Sequence, residues 1–126
     1  MNPFSIGKTN NTPEVNFDPE KKVFELSGKS IPEDPQAFYS TILTWVDQYI
    51  QNPLDQLTVN IRLDYFNTST SKILFTIFRK LESMPKAEQK VAINWYYEEG
   101  DYDLLESGED YEALLKIPFN VIEVPE

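Results

Sequence analysis

Leu57, Val59, Ile61 and Leu63 alternate with Thr58, Asn60, Arg62 and Asp64, and beyond a short polar junction Ile73, Leu74, Ile77, Phe78 and Leu81 recur at three- and four-residue intervals. An apolar alternation that changes within a few residues to a helical period marks a strand handing the chain on to a helix. The same handover occurs elsewhere, and it restricts the chain to layered α/β arrangements. Pro13–Asp18 alternates with Val15 and Phe17 on one side, Asp18-Pro19-Glu20-Lys21 turns, and Val23–Leu26 resumes, which reads as a β-hairpin. Gly28–Glu33 reads as a loop. Asp34 then offers a cap and Pro35 the first helical residue, and Phe38, Ile42, Trp45, Val46 and Tyr49 trace an apolar stripe along residues 35–51. Asn52-Pro53 ends that helix, and Met84-Pro85 ends the second one.

Val91, Ile93, Trp95 and Tyr97 alternate with Ala92, Asn94 and Tyr96, and Phe119–Val124 predicts a final strand. Between them a third helix is expected from Asp101 to about Leu115, with Leu104, Tyr111 and Leu115 facing in. Gly108 falls on that inward stripe, where it costs about 1 kcal/mol against alanine. Either the bare backbone permits close approach to the sheet, or the helix breaks near Ser107-Gly108. Trp45 and Trp95 are expected in the core. The predicted order is β-β-α-β-α-β-α-β. Strands joined through helices lie parallel, and right-handed crossovers between sequential strands stack the helices on one side. The expected fold class is therefore α/β, a mixed sheet with helices mainly on one face and a polar, open second face. Residues 1–126 read as a single domain with residues 1–11 as a loose end.

Composition narrows the chemistry. The 126 residues contain no Cys and no His. That removes thiolate nucleophiles, disulfides, cysteine-based zinc sites, imidazole acid–base catalysis and every Ser-His-Asp arrangement. No catalytic residue, metal ligand set or cofactor motif is expected. Residues 1–90 carry ten Lys/Arg against eleven Asp/Glu, whereas residues 91–126 carry one against ten. An acidic lobe of this kind repels phosphate backbones, so neither nucleic acid nor an anionic membrane is an expected partner. Met1–Asn11 is polar with only Lys8 charged, unlike a secretory leader, and no apolar run approaches the length of a membrane span; a cytoplasmic location is expected.

Two fragments imitate phosphate loops. Gly7-Lys8-Thr9 and Gly28-Lys29-Ser30 match the tail of the P-loop motif, but Asn2 and Val23 stand where its first glycine belongs. Asp101-Tyr102-Asp103 opens like a calcium loop, yet Leu105 and Glu106 occupy the next ligand and glycine positions, so it reads as a helix start. The carboxylates of the acidic lobe leave open an alternative function, a small carboxylate-dependent enzyme or small-ligand-binding domain. It would require a concave pocket with converging carboxylates of shifted pKa.

The remaining feature is Asn67-Thr68-Ser69-Thr70-Ser71, four hydroxyls in a row where strand gives way to helix. One reading is capping, with Asn67 or Thr68 accepting from free helix N–H groups. The other is a phosphorylation switch. A helix N-terminus favours anions, and a phosphoryl group brings about −1.5 to −2 charges and three acceptor oxygens. Lys72 lies four residues beyond Thr68 on the same helical face and could pair with such a group, while Asp64 and the acidic lobe would oppose it. Tyr65 and Phe66 flank the junction, either as anchors for a partner or as a strand end dipping into the core.

The stretch from Leu63 through Tyr65-Phe66-Asn67-Thr68-Ser69 to Lys72, following an alternating strand, resembles the SiaC family of bacterial regulatory phosphoproteins. Thr12-Pro13, Trp45-Val46, Trp95-Tyr96-Tyr97 and Ile117-Pro118-Phe119 are similar as well, so the resemblance spans nearly the whole chain. Members look like STAS domains, the fold of anti-sigma-factor antagonists, whose Asp-Ser-Ser phosphoacceptor motif is similar to Asn67-Thr68-Ser69. The resemblance implies a non-enzymatic partner-switching protein with Thr68 as phosphoacceptor and Ser69 as second choice. It also implies a Ser/Thr kinase of histidine-kinase-like ATPase fold, a PP2C-type phosphatase, and an effector such as a diguanylate cyclase bound by the unphosphorylated form. That arrangement ties the switch to cyclic-di-GMP signalling and biofilm formation. The chain departs from the STAS pattern in having Asn67 for the aspartate and Thr70-Ser71 beyond it.

Overall fold

The structure, a computed structural model, describes Met1–Glu126. Its elements run β1 (Phe4–Ile6), β2 (Glu14–Asp18), β3 (Val23–Ser30), α1 (Pro35–Gln51), β4 (Leu57–Phe66), α2 (Thr68–Glu82), α3 (Ala87–Lys90), β5 (Val91–Glu98), α4 (Tyr102–Leu114) and β6 (Phe119–Val124). The strands form one six-stranded sheet in chain order, with the pairs β1–β2 and β2–β3 antiparallel and β3 to β6 mutually parallel. Sequential order with right-handed crossovers puts the helices over one face. Burial agrees: Val15, Phe17, Phe24, Leu26, Val59, Ile61, Ile93 and Trp95 point into the core. Glu25, Asn60, Asn94 and Asn120 sit in register across the opposite face. The three asparagines join there through 3.0 Å amide hydrogen bonds.

Three expectations change. Residues 1–11 are not wholly loose, because Phe4–Ile6 pairs with Val15–Phe17 as an edge strand and packs Phe4 and Ile6 against the core. Gly28–Glu33 is not all loop, since β3 continues to Ser30. A one-turn helix, α3, follows Met84-Pro85; four residues are too few for a readable period. The break considered at Ser107-Gly108 does not occur, because Gly108 lets α4 lie directly on the Trp95 indole.

Aromatic packing holds the helices down at two points. Trp45 of α1 meets Phe17 edge-on at 4.7 Å and stacks on Phe24 at 4.8 Å. Tyr111 of α4 meets Trp95 at 5.3 Å and Phe78 of α2 at 5.2 Å. Such pairs contribute about 0.5–1.5 kcal/mol each beyond area burial. No helix is long and apolar enough to cross a membrane.

Candidate functional site

Parallel strands in sequential order bring all their carboxyl ends to one end of the molecule, and the β4–α2 junction lies there beside the start of α4. Asn67 is the cap of α2: its backbone is extended, and its side-chain oxygen accepts from the Thr70 N–H at 3.0 Å. Thr68 is thereby freed from capping. It and Ser69 are exposed on the first helical turn, whereas Thr70 is fully buried and Ser71 half-buried.

The two inner hydroxyls are engaged elsewhere. Thr70 Oγ1 donates to the Ser30 carbonyl at 3.1 Å and lies 2.8 Å from Ser30 Oγ, which in turn lies 2.7 Å from the Tyr39 hydroxyl. Tyr111 OH donates to the Ser71 carbonyl at 2.8 Å. Its single proton being used, it accepts from Ser71 Oγ at 3.1 Å. Burial raises the pKa of both tyrosines above the ordinary 10.0, against the lowering effect of their hydroxyl partners, so both stay neutral donors.

Thr68 opens into a groove of about 400 Å³ walled by Asp64, Tyr65, Phe66, Asn67 and Ser71 on one side and by Asp101, Asp103, Leu104 and Ser107 of α4 on the other. Asp101 caps α4 by accepting from Leu104 N–H at 3.1 Å, so the calcium-like tripeptide is a helix start. Three carboxylates therefore face the hydroxyl, while the α2 N-terminus presents the positive end of its dipole to it. Lys72 is exposed one turn on and takes part in none of the ion pairs Lys22–Asp55, Arg79–Glu82 and Lys80–Asp47.

Tyr65 and Phe66 divide their roles because β4 carries a bulge. Gly28 opposes Leu63 and Lys29 opposes Tyr65, leaving Asp64 without a partner on β3. The extra residue reverses the alternation. Tyr65, which strict alternation would turn inward, is 57% exposed, and Phe66 instead packs edge-on against Trp95 at 5.7 Å. Of the pair, only Tyr65 is exposed.

Carboxylates of the acidic lobe line the groove at Thr68 and a second one formed by Glu98, Glu99, Asp101, Asp103 and Glu126. No three of them converge closely enough to hold a metal ion. The two whose pKa is displaced downward lie at the far end of the sheet: Asp55, hydrogen-bonded by Lys22, and Glu82, where the Lys116 N–H and Arg79 outweigh burial. Tyr39 and Ser30 were absent from the sequence reading of the site. Tyr39 lies three and seven residues before Ile42 and Val46 and replaces Phe38 on the buried stripe, a spacing that was available.

The model of the SiaC family, described as regulatory phosphoproteins, matches residues 6–124. The Pseudomonas aeruginosa (strain UCBPP-PA14) protein PA14_02130 is 25% identical over 121 residues, 96% of each chain. The fold matches the crystal structure of apo-SiaC from Pseudomonas aeruginosa with a TM-score of 0.86 at 24% identity, over 97% of this chain and 99% of that one. It also matches the crystal structure of the diguanylate cyclase SiaD in complex with its activator SiaC from the same organism, with a TM-score of 0.88 at 24% identity, over 96% and 99%.

Proposed function

The chain belongs to the SiaC family of regulatory phosphoproteins, and on that premise we propose that it is a non-enzymatic partner-switching protein whose state is set by reversible phosphorylation of Thr68. One observation carries the choice of residue. Of the four hydroxyls at the α2 N-terminus, Thr68 alone is both exposed and set in the groove, whereas Ser69 lies outside it and Thr70 and Ser71 are committed to internal hydrogen bonds. Asn67 leaves the acceptor free by capping in its place, and Lys72 is available as a counter-charge. A Ser/Thr kinase adds the phosphate and a PP2C-type phosphatase removes it.

The unphosphorylated form binds the effector, with Tyr65 as an exposed anchor beside the switch. SiaC of Pseudomonas aeruginosa is the activator of the diguanylate cyclase SiaD and has been crystallised with it, so a diguanylate cyclase is the partner class favoured here. A dianion in a groove lined by Asp64, Asp101 and Asp103 changes the field at that surface without a change of fold. Thr68→Ala is expected to bind the effector constitutively, and Thr68→Glu, with one charge, to mimic phosphate only in part.

The test is intact-mass measurement and peptide mapping after incubation with the cognate kinase and Mg-ATP. Wild type is expected to gain one phosphate, at Thr68, and Thr68→Ala none. Equal uptake by Thr68→Ala would refute the assignment.

A further inference from the structure

Ser30 and Thr70 are the polar residues this fold buries outright, each 0% exposed, and their hydroxyls meet that of Tyr39, also 0% exposed. Proton counting orients the three. Thr70 Oγ1 spends its proton on the Ser30 carbonyl, so Ser30 Oγ donates to Thr70, and Tyr39 OH donates to Ser30. The result is a one-way relay from Tyr39 through Ser30 and Thr70 to the Ser30 carbonyl, which also receives the Asn67 N–H at 3.3 Å. It joins α1, the end of β3 and the first turn of α2.

A saturated relay adds little net stability, because replacing both partners of a buried hydrogen bond by apolar groups of the same shape is nearly neutral. Its value is directional. Thr68-Ser69-Thr70-Ser71 is close to degenerate chemically, and sliding the first turn by one residue rotates the helix by about 100° and brings a different hydroxyl to the groove. Side chains locked to other elements distinguish the registers, and Ser71 is held in this way by Tyr111 of α4. Thr70 is locked to β3 and, through Ser30, to α1.

We infer that Ser30, Tyr39 and Thr70 are positioning residues that set the phase of the α2 first turn, so that Thr68 is the hydroxyl presented for phosphoryl transfer and Thr70 is withheld. The inference rests on the reading of Thr68 as the acceptor.

The experiment uses the full chain with the near-isosteric triple change Ser30→Ala, Tyr39→Phe, Thr70→Val. Three quantities are compared with wild type: thermal midpoint, amide exchange by NMR, and the distribution of phosphate between Thr68 and Ser69 after treatment with kinase and Mg-ATP. The expected result is a nearly unchanged midpoint. Exchange at the Thr70 and Ser71 amides, which donate to Asn67, should quicken by at least about tenfold while Leu74–Phe78 stay protected. Phosphate should spread from Thr68 onto Ser69, and Thr70→Ser, which keeps the hydroxyl, should behave as wild type. Unchanged local exchange with unchanged phosphate distribution overturns the inference. So does a lowered midpoint with uniform loss of protection, which would mark the relay as general packing. If the triple variant does not fold, Tyr39→Phe alone removes the first donor and should move the same two local readouts in the same direction. Absence of phosphate from wild-type Thr68 would sink the switch reading instead, and the exchange data would still decide the relay.

Discussion

Gly108→Ala sets two effects of opposite sign against each other. In a helix interior alanine is favoured over glycine by about 1 kcal/mol, so propensity alone predicts a more stable protein. The geometry predicts the reverse. A Cβ at position 108 would lie 2.5 Å from Trp95 Cδ1, 2.9 Å from Nε1 and 3.2 Å from Cγ, where unstrained carbon contacts fall at about 3.5–4.0 Å. The indole cannot yield, being 1% exposed, enclosed by Phe66, Tyr111 and Phe119, and fixed by its N–H donating to the Leu104 carbonyl at 2.9 Å. Relief therefore requires α4 to lift by about 1 Å, with an overpacking cost of about 1–3 kcal/mol. Stretching the indole hydrogen bond adds about 1 kcal/mol more. The steric terms win, for a net loss of about 1–3 kcal/mol. In a chain of this length that lowers the thermal midpoint by roughly 4–12 °C. Urea unfolding followed by tryptophan fluorescence measures it, with Glu106→Ala, exposed on the same helix, as the control expected to stay within about 0.5 kcal/mol of wild type. A Gly108→Ala protein as stable as wild type would refute the claim that α4 rests on the indole.

Asn67→Ala removes the acceptor for the Thr70 N–H and is expected to cost about 0.5–2 kcal/mol in urea unfolding, with amide exchange raised first at the α2 N-terminus. The alkaline limb of stability should be steep. Tyr39, Tyr49 and Tyr111 have folded pKa values raised above the unfolded 10.0, mainly by burial. Their neutral forms are thus favoured by folding, a contribution fully present below pH 10.0 and lost as pH rises through the raised values. Thermal midpoints measured between pH 8 and 11 should fall above about pH 10, and a flat profile there would contradict the burial of these hydroxyls.

Much of the fold is legible in local pattern. The α1 boundaries follow from Asp34-Pro35 at one end and Asn52-Pro53 at the other, and the sheet follows from four alternating segments that only parallel pairing through helices can join. The regulatory class and the junction at Asn67-Thr68-Ser69 were visible through resemblance to the SiaC family. The strand at Phe4–Ile6 was not, because three residues in a polar stretch acquire strand geometry only by pairing with β2. The one-turn α3 escaped for a similar reason of length.

Residue order was sufficient to bring four hydroxyls to the N-terminus of one helix, since capping, alternation and helical period are interactions between near neighbours. Which hydroxyl faces outward was decided by contacts 40 residues apart in the chain, Thr70 with Ser30 and Ser71 with Tyr111. The outward turn of Tyr65 was decided by the bulge at Asp64, a property of the β3–β4 pairing and not of either strand alone. Long-range pairing selects among local options that are nearly equal in energy, and here those options are the ones on which the proposed switch at Thr68 depends.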